Sequence, residues 1–226
     1  MDTRRGARCV ISVSRSLFSL LAAGVTLGGL AAVVWAARIV LRVVPSRTRA
    51  LGGLFLLCYG AALVLRPSDW AVIDLAVLVG AIGGVLLIEG GLRTPGAVAV
   101  FLCVAAVVDV VSMSGGLSRM LVERYRDGTS DMLLYLTLVA PIRGRAIPIV
   151  GIGDLLVGGT AAAALLRLGL RPVTVIGTIS IGLLSALAYG LWRGGAPALP
   201  FIAVAVLLLV RWHSIRSAKP VVLARR

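Results

Sequence analysis

The sequence has few of the residues on which most hydrolases and metalloproteins depend. Among its 226 residues there is one histidine, His213, and there are three cysteines. A single histidine cannot complete an HExxH zinc motif or a Ser/His/Asp triad. The cysteines, Cys9, Cys58 and Cys103, are scattered and odd in number, which argues against a disulfide framework or a metal site. We therefore expect no metal ion and no cofactor.

Charged residues are also scarce. They make up 14% of the chain against 59% hydrophobic residues, and the mean hydropathy is +1.04. A soluble domain of this length needs far less apolar surface for its core, so the composition predicts an integral membrane protein. The formal net charge of +14 does not indicate a nucleic-acid partner, because the arginines cluster at the ends of apolar runs, as membrane-flanking cations do. The expected partner is the lipid bilayer.

Seven apolar segments are long enough, or nearly long enough, to cross a bilayer. They are residues 17–37, 50–65, 70–90, 96–113, 147–168, 172–192 and 197–212. The first follows an arginine-rich start, but its apolar run is longer than the core of a signal peptide, so we interpret it as a retained helix. The sequence predicts an all-α fold, a polytopic transmembrane helical bundle of about seven spans.

The connection between the fourth and fifth segments, residues 114–145, differs from the rest of the chain. It is polar apart from a short apolar stretch at 132–142. That stretch is too short to cross a bilayer, so we interpret it as an interfacial or re-entrant strand or helix. We divide the chain into residues 1–95, with the N-terminal tail and three spans, and residues 96–226, with the remaining spans and a basic C-terminal tail.

Two aspartates lie inside these apolar segments. Asp109 is about five residues before the connection, and Asp154 is about six residues after the expected start of the next span at Pro148. A carboxylate inside a membrane costs a few kcal/mol or more, so such a residue indicates a function. At a rise of about 1.5 Å per residue, both lie roughly 7 to 10 Å below the same membrane face on antiparallel neighbours. The spacing predicts that the two side chains meet.

The chemistry open to such a pair is acid–base catalysis. Two carboxylates within a few Å of each other cannot both be ionised, so one keeps a proton while the other acts as a base, as in aspartic proteases. Gly151 and Gly153 flank the second acid, and the lack of a Cβ lets another backbone come close to it. The alternative for Asp154 is a helix cap near an interface, where an acid suits the positive end of the helix dipole.

The last apolar segment opens on Pro197, Ala198, Leu199 and Pro200. Prolines at a helix start leave backbone groups without partners, which a membrane tolerates only where protein or a water-filled cavity covers them. The alternative is an ordinary helix N-terminus led by proline. In combination with the acidic pair, the two prolines favour a cavity at this helix start.

These three features resemble the presenilin and signal peptide peptidase family of GxGD intramembrane aspartyl proteases. Asp109 in an apolar helix, the GIGD sequence at 151–154 and the PAL sequence at 197–199 follow the order of the family. The longer GIGDLLVGG sequence at 151–159 is more similar to the signal peptide peptidase and archaeal branch than to presenilin. The resemblance covers about residues 96–212. It implies a short, prokaryotic-type homologue, a multi-pass protein of the cytoplasmic membrane.

The resemblance implies an endopeptidase in which Asp109 and Asp154 are the catalytic dyad. The substrate would be a transmembrane or signal-peptide helix, and the 114–145 connection would be cytoplasmic. An unwound substrate would pair with the apolar part of that connection as an added strand, because a helical peptide bond must be extended before water can attack it. The substrate-binding residues that it implies are Gly151, Gly153, Pro197, Ala198, Leu199, Leu138, Val139 and Pro141.

Several features depart from the family. Val108 stands where the family usually has tyrosine, and the chain has seven apolar segments where the family has nine helices. The arginines divide almost evenly between the two faces, so the positive-inside rule does not settle the orientation. The sequence leaves the oligomeric state open.

Three further functions are compatible with the two acids. A prepilin peptidase also uses a GxGD acid, but that family usually has a lysine at the position of Leu155. A proton-coupled transporter would use the acids as a relay. A homologue without activity would retain them with no catalytic role.

Overall fold

The structure is a computed structural model, and it describes the backbone of residues 3–142, 145–193 and 197–217 and the side chains of 18–140, 146–192 and 197–213. The described chain is mostly helical. Its helices are α1 (Thr3–Val43), α2 (Thr48–Leu65), α3 (Trp70–Ile88), α4 (Pro95–Gly115), α5 (Leu117–Arg126), α6 (Ile152–Arg167), α7 (Pro172–Arg193) and α8 (Leu199–Ser217). Two strands, β1 (Thr137–Ile142) and β2 (Arg145–Gly151), lie between α5 and α6.

Five of the described helices are long and apolar enough to cross a membrane, as expected of a multi-pass membrane protein. They cover Phe18–Val43, Pro45–Leu65, Trp70–Gly91, Pro95–Gly115 and Pro172–Trp192. The predicted count of about seven is therefore higher than the structure supports by length and composition. The two segments that fall short are α6, with 16 residues, and α8, whose apolar part is Leu199–His213.

A β-hairpin replaces the start of the fifth predicted span within the predicted all-α helical bundle. β1 pairs antiparallel with β2, from Thr137 opposite Gly151 to Ile142 opposite Arg145. The sequence of β2 is rich in β-branched residues and contains Pro148, and both features disfavour a helix. The helix predicted to begin at residue 147 therefore begins at Ile152, where the hairpin ends.

One hydrophobic core joins the two parts into which the sequence was divided. It contains residues of six helices, among them Leu30, Val85, Leu102, Leu155, Ile179 and Ile202. Helix α6 lies at its centre, because its side chains from Leu155 to Leu165 are buried with few exceptions. Gly159 permits this packing, since an added Cβ there would lie 2.8 Å from Cγ1 of Val33 on α1. The central helix thus holds Asp154 at its first turn.

The long helices alternate in direction, which gives the molecule two distinct ends. Asp74, near the start of α3, bonds to Val139 of β1, and the start of α8 bonds to the last third of α4. We call this the hairpin end. At the opposite end, Glu89 after α3 pairs with Arg167 at the end of α6, and we call that the arginine end. Both acids of the predicted dyad lie at the hairpin end.

Candidate active site

Asp109 is held by the first turn of α8. It is half-buried and lies six residues before the end of α4. The backbone N–H of Leu199 donates to its Oδ2 at 3.0 Å, and the N–H of Ala198 also faces the carboxylate. The first N–H groups of a helix have no partner within the helix, and the positive end of the helix dipole favours an anion. The acid of one helix thus completes the N-terminus of another.

Asp154 is the third residue of α6 and bonds to the residue before that helix. The N–H of Gly151 donates to its Oδ2 at 3.3 Å, which is the return half of a capping box. The helix-cap role that the sequence left open is therefore present. The predicted depth of about six residues into the span was too great, because the hairpin delays the helix start to Ile152. The second carboxylate oxygen, Oδ1, has no role in this cap.

The two aspartates share one cavity, as the spacing predicted. The acid cavity, as we call it, has a volume of about 520 Å³ and lies between α4, α5 and the starts of α6 and α8. Its lining includes Asp109, Asp154, Gly151, Gly153, Ala198 and Leu199. The charge of Asp109 acts on Asp154, so the two carboxylates are electrostatically coupled. The two acids therefore come together from α4 and α6, which are separated in sequence by the whole 114–145 connection.

A second cavity adjoins the acid cavity at Asp154. It also measures about 520 Å³ and is bounded by α1, β2 and α7. We call it the strand cavity, because residues 147–150 of β2 form one of its walls. Asp154 and Ala198 line both cavities, with Thr137 of β1. Asp154 therefore lines two adjoining cavities.

The two glycines of the GIGD sequence have different environments. An added Cβ at Gly151 would lie 3.3 Å from Oδ2 of Asp154, whereas an added Cβ at Gly153 would meet nothing within 4 Å. Gly153 is exposed to the acid cavity. No backbone of a neighbouring helix lies within 4 Å of an added Cβ at either glycine. Gly151 makes room for the carboxylate, and Gly153 leaves space in the cavity.

The PAL sequence contributes mainly through its backbone. Ala198 lines both cavities and Leu199 lines the acid cavity. The carbonyl of Ala198 accepts from Phe201 and Ile202 and so begins α8. Pro197 precedes Ala198 and Leu199, whose N–H groups face Asp109, and it is not among the residues that line either cavity. A proline-led helix start is therefore present, and its free N–H groups point at an acid of the site.

Strand β1 is packed into the protein and not open for pairing along its length. Leu138 and Val139 are buried, at 4% and 2% exposure, and the N–H of Val139 donates to Oδ1 of Asp74 at 2.8 Å. The side chain of Pro141 lies outside the described residues. The expected substrate contact with Leu138 and Val139 side chains is thus at odds with their burial. Residues 147–149 of β2, a segment that the sequence predicts as helix, are only half-buried and line the strand cavity.

Asp74 is a residue of the site region that sequence reasoning missed. Its position near the start of a span is typical of an interfacial acid, but its carboxylate holds the outer edge of β1. Tyr125 of α5 has a matching role on the other strand, since its hydroxyl donates to the carbonyl of Ala146 at 2.5 Å. Only a correct prediction of the hairpin would have supplied the partners of both side chains.

No metal-binding cluster accompanies the acids in the described part of the chain, where no group of three His, Cys, Asp or Glu side chains comes together. No family model, curated protein or solved structure matches this chain. The arrangement of the residues themselves is therefore the basis for a functional assignment.

Proposed function

We propose that the protein is an intramembrane aspartyl endopeptidase of the presenilin and signal peptide peptidase type, acting in a prokaryotic cytoplasmic membrane. The observation that carries the proposal is the meeting of Asp109 and Asp154 in one cavity at the hairpin end. Each comes from a different helix, and a third helix supplies backbone donors to one of them. Such a pair can activate water with no metal and no nucleophilic side chain.

The hydrogen bonds give the two acids different roles. Asp109 faces the N–H groups of Leu199 and Ala198 at a helix N-terminus, and donors of this kind favour the charged form. Asp154 accepts a single, longer bond of 3.3 Å from Gly151. In the proposed resting state Asp109 is the carboxylate and Asp154 holds the proton that the pair shares. The proton belongs to the coupled pair, so both acids are needed for every step.

The reaction follows from this division. Asp109 takes a proton from a water molecule between the acids, and the water oxygen bonds to the scissile carbonyl carbon. Asp154 donates its proton to the carbonyl oxygen, which gives a tetrahedral diol. The C–N bond then breaks, the amide nitrogen receives the proton from Asp109, and Asp154 regains its proton from the diol. The pair returns to its starting state with one water consumed.

An unwound substrate would lie along β2. The outer edge of β1 is held by Asp74, and the start of β2 is held by Tyr125. Residues 147–150 of β2 form the wall of the strand cavity, which reaches Asp154. A peptide added there as a strand is extended, so its carbonyl groups are accessible to water. The proposed pairing strand therefore moves from β1 to β2, within the same hairpin.

The test uses the full chain in lipid nanodiscs with a panel of transmembrane and signal-peptide helices that carry a fluorophore and a quencher. Asp109→Asn and Asp154→Asn keep the shape of each side chain and should each abolish cleavage. The matched control is Asp69→Asn, since Asp69 only caps α3 through Ala71 and asparagine caps equally well. Cleavage retained in either site variant would contradict the dyad.

A second measurement separates the protease from the transporter. A peptide with a hydroxyethylene group in place of the scissile amide mimics the tetrahedral intermediate and should bind the wild type more tightly than a matching amide peptide. Asp109→Asn and Asp154→Asn should remove this preference. Proton flux across vesicles that depends on both acids, with no preference for the mimic, would assign the relay instead.

A further inference from the structure

The arginine end contains a cavity that the proposed reaction does not use. Its volume is about 460 Å³, and it lies between the last turns of α1, the start of α2 and the end of α6. The polar lining residues are Arg38, Arg42, Arg167, Glu89 and Thr48, and the apolar ones include Val34, Leu41, Ala163 and Leu166. Since α6 runs from Asp154 at one end to Arg167 at the other, this cavity is at the opposite end of the molecule from the acids.

The charges of this cavity are not balanced. Glu89 is 4% exposed, and its carboxylate pairs with Arg167, which also donates to the Glu89 carbonyl at 3.2 Å. The one acid of the lining is therefore neutralised by one arginine. Arg38 and Arg42 add two positive charges to the same space, one helical turn apart on α1. Like charges at this spacing repel each other, so an anion between them would relieve the repulsion.

The arginine end as a whole also contains more arginines than acids among the described side chains. Among the described side chains, the arginine end has Arg38, Arg42, Arg47, Arg49, Arg93, Arg167, Arg171 and Arg211 against the single acid Glu89. The loops of the hairpin end are balanced in the described residues, where Arg66, Arg119, Arg124 and Arg126 accompany Asp69, Glu123, Asp127 and Asp131. Among the described side chains, the arginine end therefore carries a net positive charge, and this cavity lies within it.

We infer that this cavity binds the phosphate group of an anionic ligand between Arg38 and Arg42. The planar guanidinium forms paired hydrogen bonds to phosphate oxygens, which makes arginine well suited to this role. The apolar walls fit the carbon skeleton of a phosphate ester, and basic pockets between helices at a membrane surface are suited to anionic headgroups. The phosphate has two sources, an anionic phospholipid or a small soluble phosphate ester. The inference does not depend on the proposed protease activity.

The experiment measures binding to the full-length protein directly. The lipid arm uses nanodiscs of phosphatidylcholine with increasing phosphatidylglycerol and detects bound lipid by native mass spectrometry. The soluble arm uses glycerol 3-phosphate and inorganic phosphate with protein in uncharged detergent, and detects binding by calorimetry. Binding to the wild type alone distinguishes a lipid phosphate from a soluble phosphate ester. This part of the experiment therefore requires no variant to fold.

Two double variants then locate the site. Arg38→Gln with Arg42→Gln should weaken binding of the phosphate ligand by about 100-fold or more, because two charge-assisted hydrogen bonds to the phosphate are lost and each is worth at least about 1.5 kcal/mol. Arg47→Gln with Arg49→Gln removes the same charge from exposed residues of the same end that do not line the cavity. That control should change binding by less than about threefold.

Each possible result supports or contradicts the binding of phosphate in this cavity. Preference for phosphatidylglycerol over phosphatidylcholine that is lost only in the Arg38 and Arg42 variant supports a lipid headgroup. Binding of glycerol 3-phosphate with the same loss supports a soluble ester. An equal loss of binding in the two double variants would overturn the inference and indicate a general effect of the charged end. The absence of selective binding in both arms would also overturn it.

Discussion

The backbone N–H of Leu199 donates to Oδ2 of Asp109 across 90 positions of sequence, at 3.0 Å. This bond joins the start of the last helix to an acid on α4. The side chain of Leu199 can therefore change while the bond persists, because the donor belongs to the main chain. What the helix start must keep is a free N–H at this position.

Leu199→Pro removes this donor and keeps the helix, since proline suits the first position of a helix. A hydrogen bond to a charged group is worth about 1.5 to 3 kcal/mol, so we expect kcat to fall about 10- to 100-fold with little change in KM. The control Leu199→Ala keeps the N–H and should retain most of kcat. Equal kcat in the two variants would mean that the bond has no part in the reaction.

Gly151→Ala and Gly153→Ala should have different kinetic effects. The new methyl group at residue 151 would press on Oδ2 of Asp154, at 3.3 Å, so we expect a lower kcat. At residue 153 it would project into the acid cavity and meet nothing, and the substrate is proposed to lie in the strand cavity, so we expect little change in kcat or KM. Steady-state kinetics with a helical peptide substrate separates the two.

Thermal unfolding provides the control for the glycine pair. Alanine in the first turn favours the helix by up to about 1 kcal/mol over glycine, so Gly153→Ala should keep or raise the Tm. A large loss of Tm in Gly153→Ala would show that this position is packed and not open.

Removal of the Asp74 carboxylate should loosen β1. Asp74→Ala leaves the N–H of Val139 without its 2.8 Å partner, and such a loss costs about 1 to 3 kcal/mol. Hydrogen exchange at Val139 should accelerate in this variant. Asp74→Asn keeps an acceptor oxygen and should protect that amide more than alanine does. Unchanged exchange in Asp74→Ala would contradict the bond.

The pH dependence of the reaction should have two limbs. At low pH both acids are protonated and no base remains, and at high pH both are ionised and no acid remains. We therefore expect a bell-shaped profile of kcat/KM, whose two apparent constants belong to the pair. A profile with a single limb would indicate that only one of the two carboxylates titrates during catalysis.

Crosslinking can identify the strand that receives the substrate. A photoreactive amino acid at Ile149, on the wall of the strand cavity, should crosslink to a bound transmembrane peptide. The same group at Val204, which is 59% exposed on α8 and lines neither cavity, should give the background level. Equal yields at the two positions would exclude β2 as the pairing edge.

The sequence was sufficient to predict the acidic pair but not its surroundings. Asp109 and Asp154 stand out because carboxylates are rare in apolar segments. The depth that helical rise assigned to Asp154 was too great, because its helix begins at Ile152. A strand was one of the two interpretations of residues 132–142, but β2 was missed because residues 146–151 are apolar and look like the start of the next span. Strand pairing depends on residues that are distant in sequence, so a local pattern along the chain misassigned β2.

The partners of Asp74 and Glu89 could not be predicted from the local sequence either. Their positions near helix ends predict acids that are solvated. Nothing next to them in the sequence indicates a partner, because Val139 and Arg167 lie 65 and 78 positions away. The resemblance to GxGD proteases concerns three short motifs, and these describe the acids and the last helix start. They carry no information on which element supports β1.

The two acids are anchored very differently. Asp154 belongs to α6, which the rest of the protein encloses, whereas the buried residues of α4 are only Val98 and Leu102, and Val108 and Val111 near Asp109 are each 60% exposed. Around Asp109 most of the surface of α4 faces outward, so in a membrane its lateral support comes from acyl chains. The bilayer would then support the helix that carries Asp109, whereas the protein itself supports the helix that carries Asp154.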